Sequence, residues 1–231
     1  MTEYIVKIQH IEQITHDVKR FRVEKPAGYS FTPGQATGVA INSPEIRKKR
    51  RSFTFTGLNE DAFLEFTIKL YPEHDGLTKM LNGLVPGDEL VIGSPWGAIS
   101  YRGKGIFIAG GAGITPFLSI FRDLHSRDEL TGNMLFYANK TRADIILEQE
   151  LAGMLGGAFI NILSREKAEG YLHGRHVVRP RQTDRAGAGQ LPRAGDRGGD
   201  RAEDEGRPGQ ARHRAREARG GGSDVPGPHR R

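Results

Sequence analysis

Lys104-Gly105-Ile106-Phe107-Ile108-Ala109-Gly110-Gly111-Ala112-Gly113-Ile114-Thr115-Pro116 is the stretch that decides the architecture of this 231-residue chain. It opens as a short apolar strand and runs into a glycine-rich loop. A helix follows over residues 116–125, with Phe117, Leu118, Ile120, Phe121 and Leu124 at spacings of one, three and four. Pro116 suits the first helical turn, where its missing N–H costs nothing. Glycines between a strand and a helix let backbone N–H groups approach a pyrophosphate, and the helix N-terminus favours its charge. Taken alone, the same residues also fit a tight strand-to-helix turn.

The pattern continues on both sides. Downstream, a strand at 134–138, a helix at 143–151 with Ile146, Leu147 and Leu151 facing inward, and a strand at 159–163 complete an alternation. Strand–helix–strand order implies a parallel sheet wound by right-handed crossovers. Upstream, β-rich runs fall at 5–11, 18–23, 36–41, 52–56 and 63–71, and one short helix at 76–82. Turns such as Pro26-Ala27-Gly28, Thr32-Pro33-Gly34 and Val85-Pro86-Gly87-Asp88 separate them. Short strands at near-regular spacing predict a small antiparallel barrel. The expected fold class is therefore β plus α/β, an antiparallel barrel (1–101) followed by an incomplete parallel-sheet nucleotide-binding domain (102–174).

Charge narrows the function. The net charge is +6, and the stretch from residue 175 onward carries 14 Arg against 8 acids, so residues 1–174 are neutral. A neutral body argues against nucleic acid as a partner. With no cysteine, the chain cannot form a disulfide or hold an iron–sulfur cluster, and no histidine pair has metal-ligand spacing, so no metal is expected. No apolar run is long enough for a membrane span and no secretory signal is visible, which leads to the expectation of a cytoplasmic protein. After Tyr171 there is no Ile, Phe, Tyr, Trp, Met or Lys. Such an Arg/Gly-rich tail (175–231) reads as disordered. Its GC-codon composition and abrupt onset read further as a shifted frame near Arg175, hence as non-native.

Arg51-Ser52-Phe53-Thr54 carries a second chemistry. An arginine at a strand edge can clamp phosphate, with an aromatic face and a hydroxyl following it. An ordinary strand with a salt-bridging arginine fits the same residues. This stretch resembles the Arg-x-Tyr-Ser/Thr flavin motif of the ferredoxin–NADP⁺ reductase superfamily. Gly76-Leu77-Thr78 resembles its second flavin motif, Gly93-Ser94-Pro95-Trp96-Gly97 the segment closing the flavin domain, and Gly110 through Ile114, Thr115 and Pro116 its nicotinamide-nucleotide loop. All stand in the family's order, and the resemblance, which covers residues 1–174, is nearest to small bacterial flavodoxin/ferredoxin reductases.

The resemblance implies FAD and NADP(H) as cofactors. Arg51 would hold the FAD pyrophosphate, Phe53 would pack on the isoalloxazine and Thr54 would hydrogen-bond near flavin N5, the one position given a catalytic role. Lys69, Leu70 and Tyr71 would line the flavin; Gly76, Leu77 and Thr78 would meet phosphate. Ser164-Arg165, with Tyr171, resembles the arrangement that NADP-specific members use for the 2′-phosphate and adenine, and Lys140 and Arg142 add cations nearby. The implied reaction carries hydride from NADPH to flavin and single electrons to ferredoxin or flavodoxin. The basic run Arg47-Lys48-Lys49-Arg50, which also fits a solvated loop, would dock such an acidic carrier. Two other readings remain: an NADH-using reductase component of an oxygenase system, and a flavin-holding subunit without turnover. The family's later strand with its Cys-Gly-Pro-like motif has no counterpart here, which leads to the expectation of exposed apolar sheet edges and impaired hydride transfer.

Overall fold

The computed structural model describes residues 2–174; the Arg/Gly-rich tail and the frame-shift reading lie outside the described residues. β1 (Tyr4–Thr15), β2 (Val18–Glu24), β3 (Ala36–Ile41), β4 (Arg51–Thr54), β5 (Phe63–Lys69), α1 (Leu77–Asn82) and β6 (Glu89–Ile92) come first. The six strands form one sheet in the order β4-β3-β6-β1-β2-β5, every neighbouring pair antiparallel. Residues just beyond β4 close it: Phe55 bridges Phe66, and Thr56 N donates to Glu65 O at 2.8 Å. β1 can serve both β6 and β2 because register shifts between Ile8 and His10 and between Gln13 and Thr15 bend it.

Period-two alternation fills the barrel. Leu64, Phe66 and Ile68 of β5 point inward and join Phe21, Val23, Val39, Leu90 and Ile92. Two core residues come from a connection: Tyr29 and Phe31 are buried, and Phe31 stacks on Phe55 with ring centroids 4.2 Å apart. β6 itself is absent from the strands expected above. Its signal was the four-residue run Glu89-Leu90-Val91-Ile92, too short to stand out beyond the turn at 85–88.

The second half comprises β7 (Ile106–Gly110), α2 (Thr115–Ser126), β8 (Met134–Asn139), α3 (Glu148–Leu155), β9 (Phe159–Leu163) and the two-residue β10 (Leu172–His173). These strands form a parallel sheet in the order β10-β9-β8-β7. Both expected halves of the fold class are thus present. Ala109, Leu135, Tyr137 and Leu163 share a core with Leu118, Phe121 and Leu124 of α2 and Leu151 of α3. Alternate strand positions face away from that core: Ile106 and Ile108 are 67% and 47% exposed. Among the described residues β7 has β8 as its only sheet partner, so an apolar strand edge and face lie open.

The helix expected over 143–151 needs correction. A 3₁₀ turn spans Arg142–Asp144, Ile145 is extended, Leu147 adopts a left-handed conformation (φ 54°), and α3 starts only at Glu148. The Thr141–Asp144 capping box closes the short turn. Burying Ile145 and Ile146 then breaks the helical path. No helix among the described residues is long and apolar enough to cross a membrane.

Candidate cofactor-binding site

β4 presents the first group of residues. Arg51 and Ser52 are exposed; Phe53 and Thr54 are half-buried. The side chains of Arg51, Ser52 and Thr54 have no hydrogen-bond or ion-pair partner among the described residues. Arg50, next door, differs: its Nη2 lies 2.6 Å from Glu3 Oε1, and Arg47 Nη2 lies 3.1 Å from Glu3 Oε2. The hydrogen bond from Arg47, then Arg50, holds the Glu3 carboxyl below the usual carboxylate range against its desolvation. Phe53 sits opposite Thr37 and leans its ring on the barrel core, which claims part of its surface.

The remaining flavin candidates divide. Gly76 is the extended N-cap of α1 and offers no side-chain cap to the first helical N–H groups; Thr78 is half-buried and Leu77 belongs to the core. Leu70 is 3% exposed and also belongs to the core, leaving only its backbone to a ligand. Tyr71 is exposed and stacks on His74 at 5.6 Å. Lys69 is held by the turn between β1 and β2: its Nζ lies 2.6 Å from Asp17 Oδ2. Gly93, in the closing segment, is anchored by its carbonyl, which accepts from Tyr29 Oη at 2.7 Å and Thr37 Oγ1 at 2.9 Å. Burial pushes the Tyr29 hydroxyl up to about 12, so it stays a donor.

At the end of β7, Gly110 is extended and a 3₁₀ turn over Gly111–Ile114 leads into α2. Gly111 has φ +49°, a conformation that favours glycine. Ile114 and Pro116 are buried, so the loop offers a ligand the backbone of Gly111, Ala112 and Gly113. Thr115 Oγ1 donates to Ala112 O at 3.1 Å. Tyr137 supports the loop from beneath: its hydroxyl donates to Gly111 O at 2.9 Å and accepts from Ile146 N at 3.4 Å. Burial raises that hydroxyl's pKa well above its ordinary value, keeping the donor in place.

A cavity of about 590 Å³ opens where β7, β8 and β9 end, lined by Gly111, Asn139, Lys140, Ser164, Arg165 and Lys69 among others. The carboxyl ends of parallel strands are where open α/β sheets bind ligands. Asn139 is 6% exposed, yet neither its side-chain Nδ2 nor its side-chain Oδ1 has a partner among the described residues. A buried unpaired amide is costly unless a ligand or water completes it. Backbone bonds from Ser164 N to Asn139 O (3.0 Å) and Arg165 N to Lys140 O (2.8 Å) join the two strand exits. Tyr171 is not brought to Ser164 and Arg165. It lines a separate cavity with Glu148 and Phe159, its Oη donates to Glu148 Oε1 at 2.5 Å, and Arg142 lies 5.5 Å over its ring. Desolvation and that carboxylate raise the Tyr171 hydroxyl's pKa.

His16, Asp17 and Asp144 approach one another at the cavity's edge, but the Lys69 ammonium already holds Asp17. Sequence reasoning missed Tyr137, which reads as an ordinary strand residue. The isolated polar position at the end of an apolar strand was the available signal for Asn139.

Comparison with known proteins agrees with this layout. Residues 5–101 match the oxidoreductase FAD-binding domain family and residues 107–173 the oxidoreductase NAD-binding domain family. The chain is 29% identical over 170 residues to the reductase component of propane 2-monooxygenase from Rhodococcus jostii (strain RHA1), covering 68% of this chain and 45% of that protein. It is 30% identical over 182 residues to human NADH-cytochrome b5 reductase 1, covering 64% of this chain and 59% of that protein. The chain thus spans about half the length of the curated relatives it matches. Among solved structures, a ferredoxin NADP⁺ reductase from Neisseria gonorrhoeae with bound FAD and NADP superposes with TM-score 0.67 at 18% identity, over 76% of this chain and 74% of that one. With both family matches in consecutive order on a barrel and a parallel sheet, the chain belongs to the oxidoreductases that join an FAD-binding domain to an NAD-binding domain, and it shares the fold of the ferredoxin NADP⁺ reductase named above.

Proposed function

We propose that this chain is an FAD-dependent reductase that takes hydride from NADPH and passes single electrons to ferredoxin or flavodoxin. In this reading residues 1–101 hold FAD and residues 102–174 hold the nucleotide. The observation that carries it is the cavity at the ends of the parallel strands, with its orphaned Asn139 amide and the Lys140 and Arg165 cations. When bound, FAD supplies the redox chemistry, accepting a hydride equivalent and releasing electrons one at a time.

The protein's own groups bind and orient. Arg51, free of partners among the described residues, would neutralise the FAD pyrophosphate, with the N–H groups and Thr78 at the start of α1. Phe53 offers its remaining ring face, and Thr54 Oγ1 would donate near flavin N5. The Gly111–Gly113 backbone would meet the nucleotide pyrophosphate, while Ser164, Arg165 and Lys140 suit a 2′-phosphate. Lys48 and Lys49, exposed and outside the Glu3 pairs, would face an acidic carrier.

A second reading, an NADH-using reductase component of an oxygenase system, draws on two observations. Tyr171 is engaged by Glu148 instead of facing Arg165, and the relatives named above include an oxygenase reductase and an NADH-dependent one. Purified protein supplied with FAD should show a flavin spectrum that bleaches with NADPH under anaerobic conditions. Bleaching by NADH at the same rate would favour the second reading. Folded protein that takes up no FAD would overturn both.

A further inference from the structure

β5 alternates cleanly, so Glu65 and Thr67, on the face turned away from the barrel core, should meet solvent; instead they are 3% and 4% exposed. Thr67 Oγ1 lies 3.2 Å from Thr56 Oγ1, and Glu65 is met by Arg122 of helix α2. Arg122 Nη1 donates to Glu65 Oε1 at 2.6 Å and to Thr56 O at 2.5 Å. Its Nε and Nη2 grip both oxygens of Glu150 on α3, at 2.5 and 3.0 Å. Glu65 also accepts from Arg22 Nε at 3.1 Å and from Thr56 Oγ1 at 3.1 Å. One guanidinium on α2 therefore joins β5, the segment that closes the barrel after β4, and α3. A second link lies one turn earlier on α2, where Ser119 Oγ accepts from Gly34 N at 2.9 Å.

α2 is also the helix that leaves the Gly111–Ile114 loop, and the closing segment continues directly from Arg51–Thr54. We propose that Arg122, acting with Glu65, is a positioning residue: it sets the distance and angle between the nucleotide loop and the flavin motif while touching neither cofactor. A desolvated ion pair adds little net stability over apolar packing, but it tolerates few geometries. Its effect belongs in the rate of hydride transfer more than in melting temperature. This inference rests on the assignment of the two halves to flavin and nucleotide made above.

The test uses the full chain as Arg122→Lys and as the uncharged double variant Arg122→Met/Glu65→Gln. The double variant is expected to keep its FAD spectrum and its affinity for nucleotide. Its anaerobic bleaching by NADPH should slow by about 100-fold, the effect of roughly 1 Å of misplacement. Lysine keeps the charge but has three N–H donors on a single atom where the guanidinium fork serves four acceptor atoms on three residues, so Arg122→Lys should fall between. Hydrogen exchange supplies a readout that needs no activity: the Gly34 amide should lose protection in both variants while β2 and β5 amides keep theirs. A wild-type bleaching rate in either folded variant overturns the proposal. Should the unaltered chain fail to bleach, the functional reading falls, and Gly34 exchange still decides the clamp: lost protection supports it, unchanged protection overturns it.

Discussion

Arg50 and Arg51 are neighbours with different duties. Arg50 is spent on Glu3, 47 positions earlier, whereas Arg51 has no partner among the described residues. Arg51→Ala should therefore leave the melting temperature of the FAD-free protein nearly unchanged and weaken FAD binding. A charge-assisted hydrogen bond is worth about 1.5–3 kcal/mol, or about 10–100-fold in Kd, readable by flavin fluorescence titration. Thr54→Val keeps shape and removes the hydroxyl. FAD should stay bound, and anaerobic bleaching by NADPH should slow by about tenfold, the worth of roughly 1.4 kcal/mol; an unchanged rate would remove Thr54 from the chemistry. The motif pointed to Arg51 and Thr54. That Lys69 turns to Asp17 and Leu70 into the core was illegible, because both depend on partners brought up by folding.

The strand, glycine loop and α2 form the element that spacing describes best. Leu118, Phe121 and Leu124 are all fully buried, as a 3.6-residue period requires. Truncation there should be severe: Leu118→Ala is expected to cost about 2–5 kcal/mol, seen as a lower urea midpoint. Gly34 marks where the Thr32-Pro33-Gly34 turn meets α2. It has φ +98°, and a Cβ there would stand 2.6 Å from Ile99 O and 3.1 Å from Ile120 Cδ1. Gly34→Ala should cost about 1–3 kcal/mol from backbone conformation alone, and more because Ile99 and Ile120 must shift. Residues 142–147 are the element that spacing misdescribes. Ile146, Leu147 and Leu151 carry helical spacing, but the capping box stops the turn and the core takes Ile145 and Ile146 from an irregular path.

Across the whole molecule, the Glu65–Arg122 cluster joins the barrel to the parallel-sheet half. Burial alone would raise the Glu65 pKa, but the charge and hydrogen bond of Arg122, with Arg22 and Arg20, outweigh it and hold the carboxyl below its ordinary 4.5. A folded-state pKa below the unfolded one contributes stability that is fully present above that unfolded value and lost as pH falls through the folded one. Wild-type melting temperature should therefore drop steeply below about pH 4.5. Glu65→Gln, already destabilised at neutral pH, should show a shallower acid slope. Equal slopes in both proteins would mean that Glu65 does not titrate differently on folding.

Local sequence determined the strands, their turns, the glycine loop and the order of the motifs, because periodicity and turn chemistry act within a few residues. It also determined that a barrel precedes a parallel sheet. Tertiary structure alone decided that Glu65 and Thr67 on the outer face of β5 are buried, that Val18 of β2 joins the core of the parallel-sheet half, and that Tyr137 braces the loop from the next strand. It separated Tyr171 from Arg165 as well. Each of these rests on side chains distant in sequence meeting across packed elements. A charged residue such as Glu65 reads as solvent-facing until the guanidinium that neutralises it, 57 residues later, is folded against it.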